Sequence, residues 1–304
     1  MPSIVMAASR FSVYSALTAN LLIAATKFVA GNVSNSASMI SEGIHSLVDT
    51  INQFLLLHGI RRSQKLPDAD HPFGYGKELY FWSFIVSILI FGLGGGVSVY
   101  QGIVHILRPE PLGDPTINYI VLGISILFEG TSLMVAARDF NRIKGDTGWW
   151  QAIVLSKDPS SFLVLFEDLA AVIGLVIVMV CVFLSHLLSM PVLDGVGSLL
   201  VGMILILVSS ILARESRSLL MGEGIAVETQ TKIKALVERS STIKRVQNIF
   251  SSYQSPTEVV IMIVAEFDGT LPMQIINKEI DALRQQIMQQ YSRIKFVFIQ
   301  PATP

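Results

Sequence analysis

The sequence predicts an α-helical membrane protein: six transmembrane helices followed by a small α+β domain. Three observations carry that reading. The 304 residues are 51% hydrophobic and 15% charged, with a mean hydropathy of +0.58, which is too apolar for a soluble globule. Residues 79–107 contain no Asp, Glu, Lys or Arg, a longer run than the ~20 apolar residues that cross a bilayer. After residue 213 such runs stop, and shorter alternating patterns take over.

The six apolar stretches are residues 11–30, 36–60, 79–104, 117–137, 159–187 and 193–213. The first contains Lys27 and is followed by Gly31-Asn32-Val33-Ser34-Asn35. That sequence lacks the small-x-small pattern of a cleaved signal, so the span is expected to be retained. The third holds Gly94-Gly95-Gly96 inside an apolar helix, a place for close helix packing rather than a phosphate loop. The fifth opens on Asp158-Pro159, an N-cap followed by proline at the first helical position. Arg10, then Arg61, Arg62, Lys65 and Lys77, then Arg138, Arg142, Lys144 and Lys157, then Arg214 and Arg217 fall on one side of these spans, and Arg108 stands alone on the other. By the positive-inside rule both termini are cytoplasmic.

The C-terminal part reads as a helix at 227–239, strands at 245–253 and 259–267, a helix at 272–291 with Ile275, Ile276, Ile280, Leu283 and Ile287 as its apolar positions, and a strand at 295–299. That order suggests a compact sheet with helices on one face. Met221-Gly222-Glu223-Gly224 is the expected hinge. The chain therefore divides into a membrane domain, 1–220, and a smaller domain, 221–304.

A formal net charge of −1 and the lack of a lysine-rich tail argue against a nucleic-acid partner. The single cysteine, Cys181, excludes an internal disulfide and a cysteine zinc site. The informative residues are the ionisable ones inside spans, which are costly in hydrocarbon and normally face a partner or a water-filled path. In the second span Glu42, His45 and Asp49 share a face, since at helical spacing Asp49 lies ~40° and Glu42 ~60° from His45. An imidazole and a carboxylate one turn apart form a natural pair of ligands for a divalent cation, or a hydrogen-bonded pair that ties helices together. In the fifth span Asp168 lies ~14 Å from the helix start at 1.5 Å per residue, near the middle of a ~30 Å hydrocarbon core. Glu167, ~100° away, is a ligand, a support for the ligands, a proton carrier or a contact to another helix. Glu129 of the fourth span is left to packing, a proton path or ligation. His58, His105 and His186 lie near span ends and read as interfacial or capping residues.

Taken together, these residues resemble the cation diffusion facilitator family. The carriers of the resemblance are His45-x-x-x-Asp49, Asp168 and the loop Asp68-Ala69-Asp70-His71-Pro72-Phe73-Gly74-Tyr75-Gly76-Lys77. Ser36-Ala37-Ser38-Met39-Ile40-Ser41-Glu42 and Leu165-Phe166-Glu167-Asp168-Leu169-Ala170-Ala171-Val172 are closer still to its zinc transporter nine branch. The resemblance implies a six-span divalent-metal/proton antiporter that works as a homodimer with a ferredoxin-like cytoplasmic domain. Carried over residue by residue, it implies a transport site of His45, Asp49 and Asp168 with water, Glu42 or Glu167, and a loop site at Asp68 and His71. Three departures qualify this. Val164 stands where zinc members place a second histidine, and Tyr75 replaces a loop histidine. Residues 225–304 contain no His or Cys, so the family's regulatory zinc site is not expected there. Lys77 matches half of an intersubunit salt bridge, but Met221 occupies the expected aspartate position and Glu223 is the nearest substitute.

The expected cargo is Zn2+, with Mn2+, Fe2+ or Co2+ as alternatives because the site has few nitrogens; no prosthetic group is expected. An intramembrane metallopeptidase would need His-Glu-x-x-His, and Glu42 with His45 supplies only Glu-x-x-His, so the chain is not read as an enzyme. A metal-responsive regulatory protein is the other alternative. The expected partners are the metal, protons, lipid and a second copy of the chain, and the expected location is the bacterial inner (plasma) membrane.

Overall fold

The computed structural model describes residues 10–111, 113–145, 148–149, 152 and 157–302. The helices are α1 (Arg10–Ser34), α2 (Ala37–Ser63), α3 (Glu78–Leu89), α4 (Val97–Leu107), α5 (Thr116–Lys144), α6 (Pro159–Leu187) and α7 (Val192–Leu220). A π-helical turn, Ile90–Gly96, joins α3 to α4, so that Glu78–Leu107 forms one apolar rod. Among the described residues four helical stretches are long and apolar enough to cross a membrane: Glu78–Leu107, Thr116–Arg142, Phe162–Leu187 and Val192–Leu220. Helix α2 is long enough, but Glu42, His45, Asp49, Arg61 and Arg62 lower its hydropathy. Large apolar side chains such as Leu21, Ile124, Phe183 and Leu207 point outward from these helices, while Glu42, His45 and Ser198 are buried inside. That inversion suits a solvent of lipid.

The chain forms two compact units: residues 1–59, 82–155 and 159–215, and residues 60–81, 156–158 and 216–304. In the first unit α4 and α7 meet at backbone distance. A Cβ on Gly102 would lie 2.6 Å from the Leu199 nitrogen, and one on Gly202 2.7 Å from the Val99 nitrogen. Gly95 meets Gly202 and Ile206 in the same way, so the glycine run serves helix packing. The Ser198 hydroxyl donates to the Ser98 carbonyl at 2.8 Å and lies 2.5 Å from the Ser41 hydroxyl, tying α2, α4 and α7 at one level.

In the second unit α8 (Val227–Val237), β1 (Ile243–Ser255), β2 (Glu258–Phe267), α9 (Met273–Gln290) and β3 (Ile294–Ala302) follow in the order expected from the sequence. The central strand β2 pairs antiparallel with β1 and parallel with β3. Ile261, Ile263 and Ala265 of β2 meet Ile233, Val237, Leu283 and Ile287 in the core. Of the apolar positions assigned to the second helix, Ile276 and Ile280 flank this core, whereas Ile275 is exposed. Gly222 adopts a φ of 96° after α7, a left-handed conformation that ends a helix at little cost only for glycine.

Candidate metal centre

Helices α1, α2, α5 and α6 line a cavity of about 50 Å3, with Asp49, Glu129, Ser132, Val164, Glu167 and Asp168 on the α2, α5 and α6 walls and Asn20 and Ile23 on the α1 side. By packing criteria it has room for a cation and a few waters, since one water needs ~10–15 Å3. The α6 helix starts at Pro159, which sets the depth of Asp168, and Val164 one turn earlier lies on the same wall. The Asp168 Oδ2 accepts from the Ser132 hydroxyl of α5 at 2.8 Å. The Glu167 Oε1 accepts from the Asn52 amide of α2 at 2.7 Å. On the α1 side, Asn20 donates to Gln53 at 3.2 Å.

His45 Nε2 lies 3.4 Å from Asp49 Oδ2. Both ring nitrogens of His45 and the Oδ1 of Asp49 are buried without a hydrogen-bond partner. In a neutral imidazole one of these nitrogens donates and the other accepts; unsatisfied buried polar atoms are costly, and a cation would satisfy the accepting nitrogen and the Asp49 oxygen. Among the described residues no group of three His, Cys, Asp or Glu is drawn together as a ready shell; Asp49 and Asp168 share the cavity wall, and His45 touches it only through Asp49.

Glu42 has another engagement. The Lys27 ammonium lies 3.1 Å from its Oε2 and 2.7 Å from the Ser46 hydroxyl, and both Lys27 and Glu42 are almost wholly buried. The space for the carboxylate comes from Gly174 of α6, where a Cβ would stand 3.0 Å from Glu42 Oε1. Lys27 was read from sequence only as a residue of the first span; its burial depends on α1 lying against the polar face of α2.

Asp194 was also missed. Its carboxylate accepts from the Ser36 hydroxyl at 2.7 Å, from the Ala37 and Ser38 amides at 2.5 and 3.2 Å, and from the Ser38 hydroxyl. It thereby satisfies amide donors that the first turn of α2 leaves open. His105 Nε2 stands 3.9 Å from the same group, so His105 is a buried neighbour of Asp194 near the end of its span. An acidic residue in the first turn of an apolar span was the available signal.

The loop residues Asp68 and His71 lie in the second unit. Asp68 Oδ1 accepts the backbone amides of Asp70 and His71, and Oδ2 accepts the Tyr75 hydroxyl at 2.7 Å. His71 Nδ1 is 3.5 Å from Asp68 Oδ1, and Arg62 and Lys65 approach the Tyr75 ring. The Tyr75 hydroxyl, then the His71 amide, hold the Asp68 carboxyl below its ordinary pKa, while the same hydrogen bond raises that of Tyr75. Tyrosine thus fills the loop with a hydrogen bond where a histidine could offer a metal ligand. Glu223 pairs with Lys157 at 2.6 Å, so within one chain it does not answer Lys77.

Residues 13–221 match the cation efflux transmembrane domain. The chain belongs to the cation diffusion facilitator family. Among its relatives are the mitochondrial proton-coupled zinc antiporter SLC30A9 of Mus musculus, 34% identical over 268 residues, 86% of this chain and 47% of that protein, and its Homo sapiens counterpart, 33% identical over 86% of this chain and 47% of that protein. The manganese efflux system protein MneP of Bacillus subtilis is 29% identical over 93% of this chain and 92% of that protein. The chain spans about half the length of the SLC30A9 relatives. These family members are named as transporters, not enzymes, and the branch expected from the sequence agrees with the SLC30A9 relatives.

Proposed function

We propose that this chain exports a divalent cation, zinc foremost, in exchange for protons by alternating access. The observation that carries the proposal is the convergence of Asp49 and Asp168 from two helices on one cavity among apolar spans. Such residues are retained inside a membrane domain for a pathway or a partner. His45, Asp49 and Asp168 are the donors, supported by Glu167, and Glu42 acts through its pair with Lys27. His45 must be neutral and the carboxylates ionised to hold the metal, so uptake releases protons and an acidic far side expels the cargo. Helices α1 and α2 complete six spans with cytoplasmic termini in the bacterial inner membrane. Residues 221–304 form a ferredoxin-like domain that pairs with a second copy, and the Asp68/His71 loop is a weak metal site at most.

Manganese is the second reading. It is favoured by the oxygen-dominated cavity wall, by Val164, and by the MneP relative, a manganese efflux system protein that this chain matches over nearly its whole length. Purified chain in proteoliposomes under an imposed pH difference tests both. Gradient-driven accumulation of zinc above manganese supports the first reading, the reverse ranking supports the second, and no accumulation of any metal refutes transport.

A further inference from the structure

Glu129 is the only Asp, Glu, Lys or Arg in residues 117–137, and its placement calls for an explanation. The simplest would be an ion pair with Lys27, but that ammonium is committed to Glu42 and Ser46. Among the described residues Glu129 closes no ion pair and accepts no hydrogen bond. It lines the same cavity as Asp49 and Asp168, whose other engagements differ. Asp168 is held by Ser132, one helical turn beyond Glu129 on α5, at 2.8 Å. Asp49 is buried, 7% exposed, and its Oδ1 has no partner. Glu129 from α5, and Asp49 from α2 with its Oδ2 facing His45 at 3.4 Å and its Oδ1 unsatisfied, therefore flank a space that a third carboxylate from α6 also reaches. Val164 puts an isopropyl group on this wall and offers no donor.

We propose that Glu129 is a direct oxygen donor to the transported cation, occupying the coordination position that Val164 leaves without an imidazole. The inference rests on the transport reading above and names what sets its metal preference. The shell becomes three carboxylates from α2, α5 and α6 with His45 as its only nitrogen. Carboxylate and water oxygens suit Mn2+ and similar harder ions, whereas added imidazole favours tetrahedral Zn2+. Glu129 thus brings α5 into the site and shifts selectivity toward oxygen-loving cations.

The test is calorimetric titration of Mn2+ and Zn2+ into the purified full chain. It compares wild type, Glu129→Gln, Glu129→Asp, Val164→His and the double variant Val164→His/Glu129→Gln, each checked for monodispersity and thermal unfolding. Residues that merely support ligands cost about 10–100-fold in affinity when removed, so loss of a direct donor in Glu129→Gln should exceed that range for Mn2+, by more than about 100-fold, and cost Zn2+ less. Glu129→Asp keeps the charge but shortens the reach, and should also weaken Mn2+. In the Val164→His background the added imidazole supplies the missing donor, and Glu129→Gln should then cost zinc less than about threefold. Wild-type affinity in Glu129→Gln, wild-type affinity in Glu129→Asp, or an equal loss for both metals in both backgrounds would each overturn the assignment, the last two by showing a general charge effect. If wild type binds neither metal and moves neither in proteoliposomes, the transport reading falls and this inference falls with it. Metal-binding wild type with indifferent Glu129 variants removes the inference alone.

Discussion

Lys27→Met should be among the most damaging single changes in the membrane unit. The Lys27 ammonium is 1% exposed and its Glu42 partner 0%, at 3.1 Å. Removing the ammonium leaves Glu42 with neither oxygen paired, because Oε1 already lacks a partner. Breaking a buried ion pair from one side costs ~3–5 kcal/mol, whereas replacing both members by neutral groups of similar size is often near neutral. Glu42→Gln alone should cost a similar amount, because Lys27 then keeps only the Ser46 hydroxyl at 2.7 Å. Lys27→Met/Glu42→Gln should recover most of that loss, a coupling of about 3 kcal/mol or more between residues in direct contact. Equilibrium unfolding in mixed micelles measures the cycle. Either single variant within about 1 kcal/mol of wild type, or a double variant as unstable as the sum of the two, would refute the buried pair.

Asp49→Ala and Asp168→Ala should each abolish gradient-driven metal uptake while the protein stays monodisperse, and near wild-type flux in either would remove that residue from the site. His45→Asp exchanges nitrogen for oxygen and should move the metal ranking from zinc toward manganese, read by competition uptake. Gly102→Ala puts a methyl 2.6 Å from the Leu199 nitrogen, an overpacking that should cost ~1–3 kcal/mol in the same unfolding assay. For the loop, Asp68 has a depressed pKa in the folded state, mainly through the Tyr75 hydroxyl. Its contribution to loop order is complete above the ordinary carboxylate value and is lost as pH falls through the depressed one. Tyr75→Phe should start that loss at a higher pH, visible as protease sensitivity of residues 60–81 across an acid series, and an unchanged acid profile would show that the hydroxyl does not matter.

Much of the site was legible because helical spacing fixes which residues share a face. His45 with Asp49, and Val164 with Asp168, follow from a separation of four residues alone. The strands of the second unit were equally plain, since Val259, Ile261, Ile263 and Ala265 alternate with more exposed neighbours. What the sequence did not reveal depends on contacts between helices far apart in the chain. Nothing local says that Lys27 meets Glu42 rather than lipid headgroups, or that Glu129 turns to the cavity rather than to a neighbouring helix. The π-helical turn at Ile90–Gly96 was likewise hidden, because a glycine run permits both close packing and an altered helical pitch.

The carboxylate that finishes the first turn of α2 enters the chain 158 residues after the serine it binds. In a protein synthesised from its N-terminus, the helix that carries His45 and Asp49 is thus among the first made and the last completed. Until Val192–Leu220 arrives, the amides of Ala37 and Ser38 must find temporary partners in water or in lipid headgroups, since hydrocarbon offers none. Asp194 therefore makes the start of α2 depend on a late part of the chain: that turn acquires its final geometry only when Val192–Leu220 is in place, so a chain interrupted before that point holds the helix of His45 and Asp49 unfinished.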